Sequence, residues 1–251
     1  MIAPMLTTGT VSATESLHTL EALSLETLAR VSLLDRVDRK YLIETSRLAD
    51  FYSACHPAYA ALDIGGARRF AYSTLYFDTV GFQLYRDHMV GKPRRCKIRV
   101  RDYVDSRSRF LEAKIKAADG RTSKLRLTMP FGGEPDPSGI RHLLTGAPFA
   151  ALPLSMKPDD LRPAVGVAYQ RTTLASQHTE ERITIDTALS WWSGGQRIQC
   201  QDLAVVEVKQ NESMCSPVLD VLRRLGARQV AISKYCVGLA VLAPELPAGM
   251  Y

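Results

Sequence analysis

Six segments of this 251-residue chain repeat one pattern, an ionic side chain at every second position. They are Arg36, Asp38 and Lys40; Arg95, Lys97, Arg99 and Arg101; Glu112, Lys114 and Lys116; Lys124 and Arg126; Arg182, Thr184 and Asp186; and Glu207 with Lys209. Most positions between them are aliphatic: Ile98 and Val100, Leu111, Ala113 and Ile115, Leu125 and Leu127, Ile183 and Ile185, Val206 and Val208. A period of two belongs to strands, whose alternate side chains point to opposite faces. The pattern predicts a mostly β chain whose strands are ionic on one side and aliphatic on the other.

Two architectures satisfy this. One is a half-buried antiparallel sheet with a solvated outer face. The other is a closed barrel, with the aliphatic faces outward under helices and the ionic faces lining a central tunnel. Arg and Lys dominate the ionic positions, and four cations stacked on one strand face repel unless anions sit between them. A cation-lined tunnel focuses positive potential and would hold a polyanion. Arginine forks suit phosphate oxygens, and lysine adds point charge. Asp38, Glu112, Asp186 and Glu207 would offer oxygen ligands to a hard divalent cation. The net charge of +6, from 32 Lys and Arg against 26 Asp and Glu, agrees with an anionic partner.

Other classes drop out. A hydrophobic content of 46% is ample for a core and excludes a disordered chain. The apolar stretch from Cys236 to Ala243 is too short to span a membrane, and the N-terminus shows no signal-peptide pattern. Cysteines 55, 96, 200, 215 and 236 form no C-x-x-C pair, which predicts reduced thiols in a cytoplasm. Histidines 18, 56, 88, 142 and 178 are too scattered for a zinc site. No P-loop, dinucleotide fingerprint or nucleophile elbow is present. Phosphoryl transfer needs none of these, because positioning and cation clamps supply most of its catalysis.

The expected elements are a loose start over residues 1 to about 14 and a helix over 24–34 capped by Ser24. A strand over 36–43, a helix over 47–56 capped by Thr45 or Ser46, a strand over 68–78 and a helix ended by Gly91 follow. Strands are expected over 94–103, 109–116 and 123–128, with a turn at 118–120, and a helix over 138–144. Strands over 163–176, 180–188 and 202–210 precede two helices, 217–225 and 232–242. Asp78 is expected to order the turn before the next helix, and His88, Trp191, Trp192 and the cysteines to pack.

Eight segments in order resemble the VTC domain, the polyphosphate polymerase domain within the CYTH-like triphosphate tunnel metalloenzymes. They are RVDRKYLI (36–43), STLYFDT (73–79), RCKIRVRDY (95–103), FLEAKIK (110–116), AYQRTTL (168–174), RITID (182–186), VVEVKQ (205–210) and ISKY (232–235). The resemblance implies an α+β fold, an eight-stranded antiparallel β-barrel tunnel with helices packed outside. It implies a tail and helix lead-in at 1–24, the tunnel domain at 25–245 and a C-terminal tail at 246–251. By resemblance Lys40, Arg99, Arg101, Lys114, Arg126, Arg171, Lys209 and Lys234 are the catalytic phosphate ligands. Arg36, Lys97, Lys116, Lys124 and Arg182 are further substrate contacts, with Ser233 and Tyr235 flanking the lysine. Glu207 is the metal ligand for Mn²⁺ or Mg²⁺, and Glu112 a second carboxylate that helps place the metal or an internal cation. Asp38 stands where related enzymes carry Glu, which leaves its reach to a metal open.

The activity so implied is transfer of the ATP γ-phosphate to a polyphosphate chain. A triphosphatase using the same tunnel and a non-catalytic polyphosphate-binding module are the alternatives. Nucleic acid ranks last, because the basic residues alternate with aliphatics rather than aromatics. No SPX-type domain and no membrane segment are seen, so if synthesis is coupled to export the chain must find a membrane partner or act on soluble polyphosphate.

Overall fold

The computed structural model describes residues 12–30, 37–118, 121–133, 136–146, 156–211 and 216–246. Arg36, Cys215, the ends of the expected helix over 24–34 and turn over 118–120, and the outer parts of both expected tails lie outside the described residues. In chain order the helices are α1 Ala13–Thr19, α2 Leu25–Arg30, α3 Leu48–Cys55, α4 Gln83–Met89, α5 Pro137–Thr145, α6 Pro217–Arg224 and α7 Lys234–Leu242. The strands are β1 Glu21–Leu23, β2 Val37–Glu44, β3 Tyr59–Leu62, β4 Phe70–Thr79, β5 Arg95–Tyr103, β6 Ser108–Lys116, β7 Thr122–Met129, β8 Leu161–Ser176, β9 Arg182–Ser193, β10 Gln196–Cys200, β11 Leu203–Gln210 and β12 Arg228–Val230.

The chain forms two compact units. The first comprises Met1–Arg69, Thr172–Asp186 and Asp202–Val230. In it β2 pairs antiparallel with β11 and β12, and β11 pairs with the start of β9. The end of β8 pairs with β3, which pairs in parallel with β1. The aliphatic positions Ile183, Ile185, Val206 and Val208 pack with Leu17 of α1, Phe51 and Tyr52 of α3, and Val218 and Leu222 of α6. Residues 13–23 hold a helix and a strand, α1 and β1. Ser12 and Glu15 form a capping box, and Leu17 is buried. At α3, a 3₁₀ turn over Thr45–Arg47 replaces the expected Thr45 or Ser46 cap, and Arg47 at the N-cap makes no side-chain capping bond.

The second unit comprises Phe70–Arg171, Thr187–Gln201 and Ala231–Tyr251. Its strands run β8–β4–β5–β6–β7, each pair antiparallel, and the end of β9 pairs with β10. The aliphatic face of Phe77, Ile98, Val100, Leu111, Ala113 and Ile115 is covered by Leu84 of α4 and by Ile140 and Leu144 of α5. The expected barrel has eight strands and closes. Here nine of the twelve described strands pair along a path whose ends, β12 and β7, are not bonded to each other among the described residues, and β1, β3 and β10 lie off that path.

Helix α7 departs from the expectation that helices pack outside. Its Gly238 lies against Val165, the cross-strand partner of Tyr76, which is in turn the partner of Arg99. Residues that pair directly across strands share a face, so α7 sits on the cationic side. After Lys234 the helix carries no charge (YCVGLAVL), which suits a helix buried on several sides. A Cβ at Gly238 would stand 2.4 Å from Cδ1 of Trp191. Gly238→Ala should therefore lower Tm by roughly 2–10 °C, the cost of overpacking a rigid contact. Thermal unfolding followed by circular dichroism measures it, and an unchanged Tm would contradict the packing.

Candidate functional site

In the second unit the register of β5, β6 and β7 builds a face in rows. Arg95, Lys116 and Thr122 lie side by side, then Lys97, Lys114 and Lys124, then Arg99, Glu112 and Arg126, then Arg101, Phe110 and Thr128. Eight cations share this face with one carboxylate. Glu112 is 1% exposed and meets four of them. Arg99 donates to its Oε2 through Nε at 2.8 Å and Nη2 at 2.7 Å, and Arg101 Nη1 lies 4.0 Å away. On Oε1, Lys124 Nζ stands at 2.7 Å and Arg126 Nε at 3.5 Å. Burial alone would raise the Glu112 carboxyl, but Arg99, Arg101 and Lys124 outweigh it and hold it at about 2. Lys124 and Arg126 remain half-exposed, so this face offers cations outward while one buried carboxylate anchors them.

Aromatic rings stand between these cations. Arg126 covers Phe110 with its guanidinium carbon 3.4 Å from the ring centroid. Tyr72 and Tyr169 stack at 5.3 Å, and Arg171 lies 5.1 and 5.2 Å from their centres. Lys234 Nζ is 4.8 Å from the Tyr169 ring. The Tyr169 hydroxyl is buried with no hydrogen-bond partner. Tyr169 and Tyr76 were missed by the sequence reasoning. The available signal was spacing, since Tyr169 lies two residues from Arg171 and so faces the same way.

In the first unit the rows are Asp38, Lys209 and Arg182, then Lys40, Glu207 and Thr184, then Leu42, Val205 and Asp186. Lys209 Nζ lies 2.5 Å from Glu207 Oε1 and 3.5 Å from Asp38 Oδ2. The two residues assigned to metal, Glu207 and Glu112, fall in different units. Among the described residues no three His, Cys, Asp or Glu side chains gather as a metal cage. Glu207 and Asp38 already converge on one cationic group. They fit a hard divalent ion that completes its shell with phosphate oxygens, as Mg²⁺ does. Glu112 does not fit, since both its oxygens are engaged by arginine and lysine.

Tyr235 departs from its expected role. It is 1% exposed, and its hydroxyl donates to Asp78 rather than facing a ligand. Asp78 also accepts from the backbone N–H groups of Thr79, Leu84 and Tyr85, ordering the start of α4 as expected. Ser233 occupies the N-cap of α7 without a capping bond from its side chain. His88 packs its ring edge-on to Tyr235, and burial, with Lys97 nearby, lowers it to about 4. Trp191 donates to the Lys234 carbonyl at 2.8 Å, and Trp192 lies over Gly166, so both pack.

With this geometry in place, the comparisons are informative. The family described as the VTC domain matches residues 35–243. No curated protein matches the chain. A Hippeastrum protein, described under the name adenylyl cyclase with a dominant triphosphatase activity, superposes with a TM-score of 0.51 at 13% identity. That match covers 82% of this chain and 96% of the other, and it shows a shared fold. A Bacillus halodurans protein under the name adenylate cyclase has a TM-score of 0.49 at 14% identity, covering 79% of this chain and 94% of its own.

A carboxylate held below its unfolded value stabilises the fold above that value and loses the contribution as pH falls through its own. For Glu112 that window runs from the ordinary 4.5 down to about 2. Glu112→Gln should lower stability at neutral pH and remove part of the acid-induced loss across this window. Denaturant unfolding at a series of pH values checks it, and an unchanged acid limb would overturn the assignment.

Proposed function

The chain belongs to the VTC domain family, and on that premise we propose that it transfers the γ-phosphate of ATP to a polyphosphate chain. The observation that carries this reading is the cationic face anchored on Glu112, with eight cations to one carboxylate. Such a face suits an extended polyanion better than a singly charged ligand. Arg99 and Arg101 would grip phosphate oxygens through guanidinium edges not spent on Glu112, and Lys97, Lys114 and Lys116 would continue the track. Arg126 and Lys124, half-exposed, would meet the incoming chain. Arg171, Lys234 and the unpartnered Tyr169 hydroxyl would hold a phosphate between them.

In the first unit, Lys40, Lys209 and Arg182 would bind phosphate oxygens. Glu207 and Asp38 would hold Mg²⁺ or Mn²⁺, which supplies charge neutralisation at the transferred phosphoryl group. These residues bind and orient, and the attacking oxygen belongs to the substrate. A phosphate chain end in line gives polymerisation, whereas water gives hydrolysis, so triphosphatase activity is the second reading. Cys55, Cys96, Cys200 and Cys236 are free thiols, which suits a cytoplasmic enzyme supplied with ATP. Among the described residues no helix is long and apolar enough to cross a membrane.

Purified protein with ATP and Mn²⁺, with and without a short polyphosphate primer, should give a polyphosphate ladder and ADP. Free phosphate without a ladder would replace polymerase by triphosphatase. Arg99→Ala with Arg101→Ala should weaken tripolyphosphate binding at least tenfold at low salt, with a smaller effect at high salt. Glu207→Ala should abolish turnover while the circular dichroism spectrum is retained, and full activity would remove Glu207 from the site.

A further inference from the structure

Tyr76 is a phenol on the cationic face, beside Arg99 and in the same row as Glu112. Its ring is 5% exposed, and its hydroxyl accepts from Arg99 Nη1 at 3.2 Å. The same guanidinium gives Nε and Nη2 to Glu112 of β6, so Arg99 divides its edges between two acidic groups. From β5, Arg101 and Lys97 add positive charge. From β8 the neighbour in register is the apolar Val165. From α7 the Tyr235 ring lies 5.1 Å away, with His88 of α4 behind it. The nearest carboxylate on β4 itself, Asp78, is bonded to Tyr235.

We propose that Tyr76 is a positioning residue whose phenolate competes with bound phosphate for Arg99, so that polyanion binding to this face takes up a proton. The proposal rests on the phosphate-binding reading above. In the free protein, burial opposes ionisation of the phenol, but Arg99, Arg101 and Lys97 outweigh burial and bring it down to about 8. A phosphate chain on those cations removes their pull and adds negative charge nearby. The phenolate oxygen then recovers a proton from solvent, and Arg99 turns its Nη1 to the ligand. Because the free state loses this proton at lower pH than the bound state, affinity falls as pH rises through the Tyr76 titration. Nothing is oxidised or reduced, and the only transfer is one proton from solvent to the phenolate.

The test is calorimetric titration of tripolyphosphate, without metal, into wild type and Tyr76→Phe. It is run between about pH 7 and pH 9 in two buffers of different ionisation heat. Comparing the two proteins cancels the ligand's own titration. Wild type should lose roughly tenfold more affinity than Tyr76→Phe across that span, and should take up more protons on binding. Equal pH slopes and equal proton uptake, with binding intact, would overturn the proposal and leave the phosphate-binding reading standing. No binding by either protein at any pH would overturn both. Tyr76→Phe keeps the ring and its packing. Should the variant fail to fold, proton uptake by wild type in the two buffers still decides, since uptake accounted for by the ligand's own titration overturns the proposal.

Discussion

The second unit depends on how one buried carboxylate is shared. Rows of cations placed side by side on three strands repel one another, and neighbouring strands bring like charges to within a few ångströms. Glu112 sits in the middle strand of the three, so Arg99 reaches it from one side and Lys124 and Arg126 from the other. An anion on an outer strand could serve only one neighbour. The central position also makes the register matter. A slip of one residue would send Glu112 into the aliphatic face and the cations after it.

This arrangement explains why the face keeps both rigidity and spare charge. Arg99 and Arg101 are held by Glu112, Tyr76 and Thr74, which fixes their guanidinium planes before any ligand arrives. Pre-set donors give a phosphate site its strength, because little reorganisation remains at the moment of binding. Lys124 and Arg126 reach the same carboxylate while remaining half-exposed. They can exchange a protein anion for a substrate anion with small movements of long side chains.

The other anchor is Asp78. It gathers three backbone N–H groups at the start of α4 and the hydroxyl of Tyr235 on α7. One side chain thereby ties a strand to two helices whose rings touch each other. The apolar α7 can occupy the cationic side because Val165 and Trp191 provide it a floor, and Gly238 allows close approach. Aromatic rings reach the cationic face in a way that alternation along one strand conceals. Arg99, Arg101, Arg126 and Arg171 each lie over a ring from an adjacent strand. These rings are Tyr76, Tyr72 and Phe110. Basic residues here therefore have aromatic company, most of it across strands and, for Arg171 with Tyr169, along one.

What the sequence by itself determined is the face to which each strand residue belongs. A period of two is a property of extended backbone, and β2, β5, β6, β7, β9 and β11 all obey it. The two helices at the close of the chain were legible from the apolar positions of α6 and the apolar run of α7, and the turn role of Asp78 from its place just before α4. The short strands β1, β3, β10 and β12 were not legible, because three to five residues carry too little pattern. The helix α1 was hidden in a stretch of small polar residues whose stability comes from burying Leu17 against distant segments. Only the tertiary structure decided which residues stand opposite one another. It buried Tyr235, placed α7 on the cationic side and brought a phenol to Arg99. The physical reason is that pairing across strands depends on register and burial, which join residues far apart in sequence and leave no periodic trace in either partner.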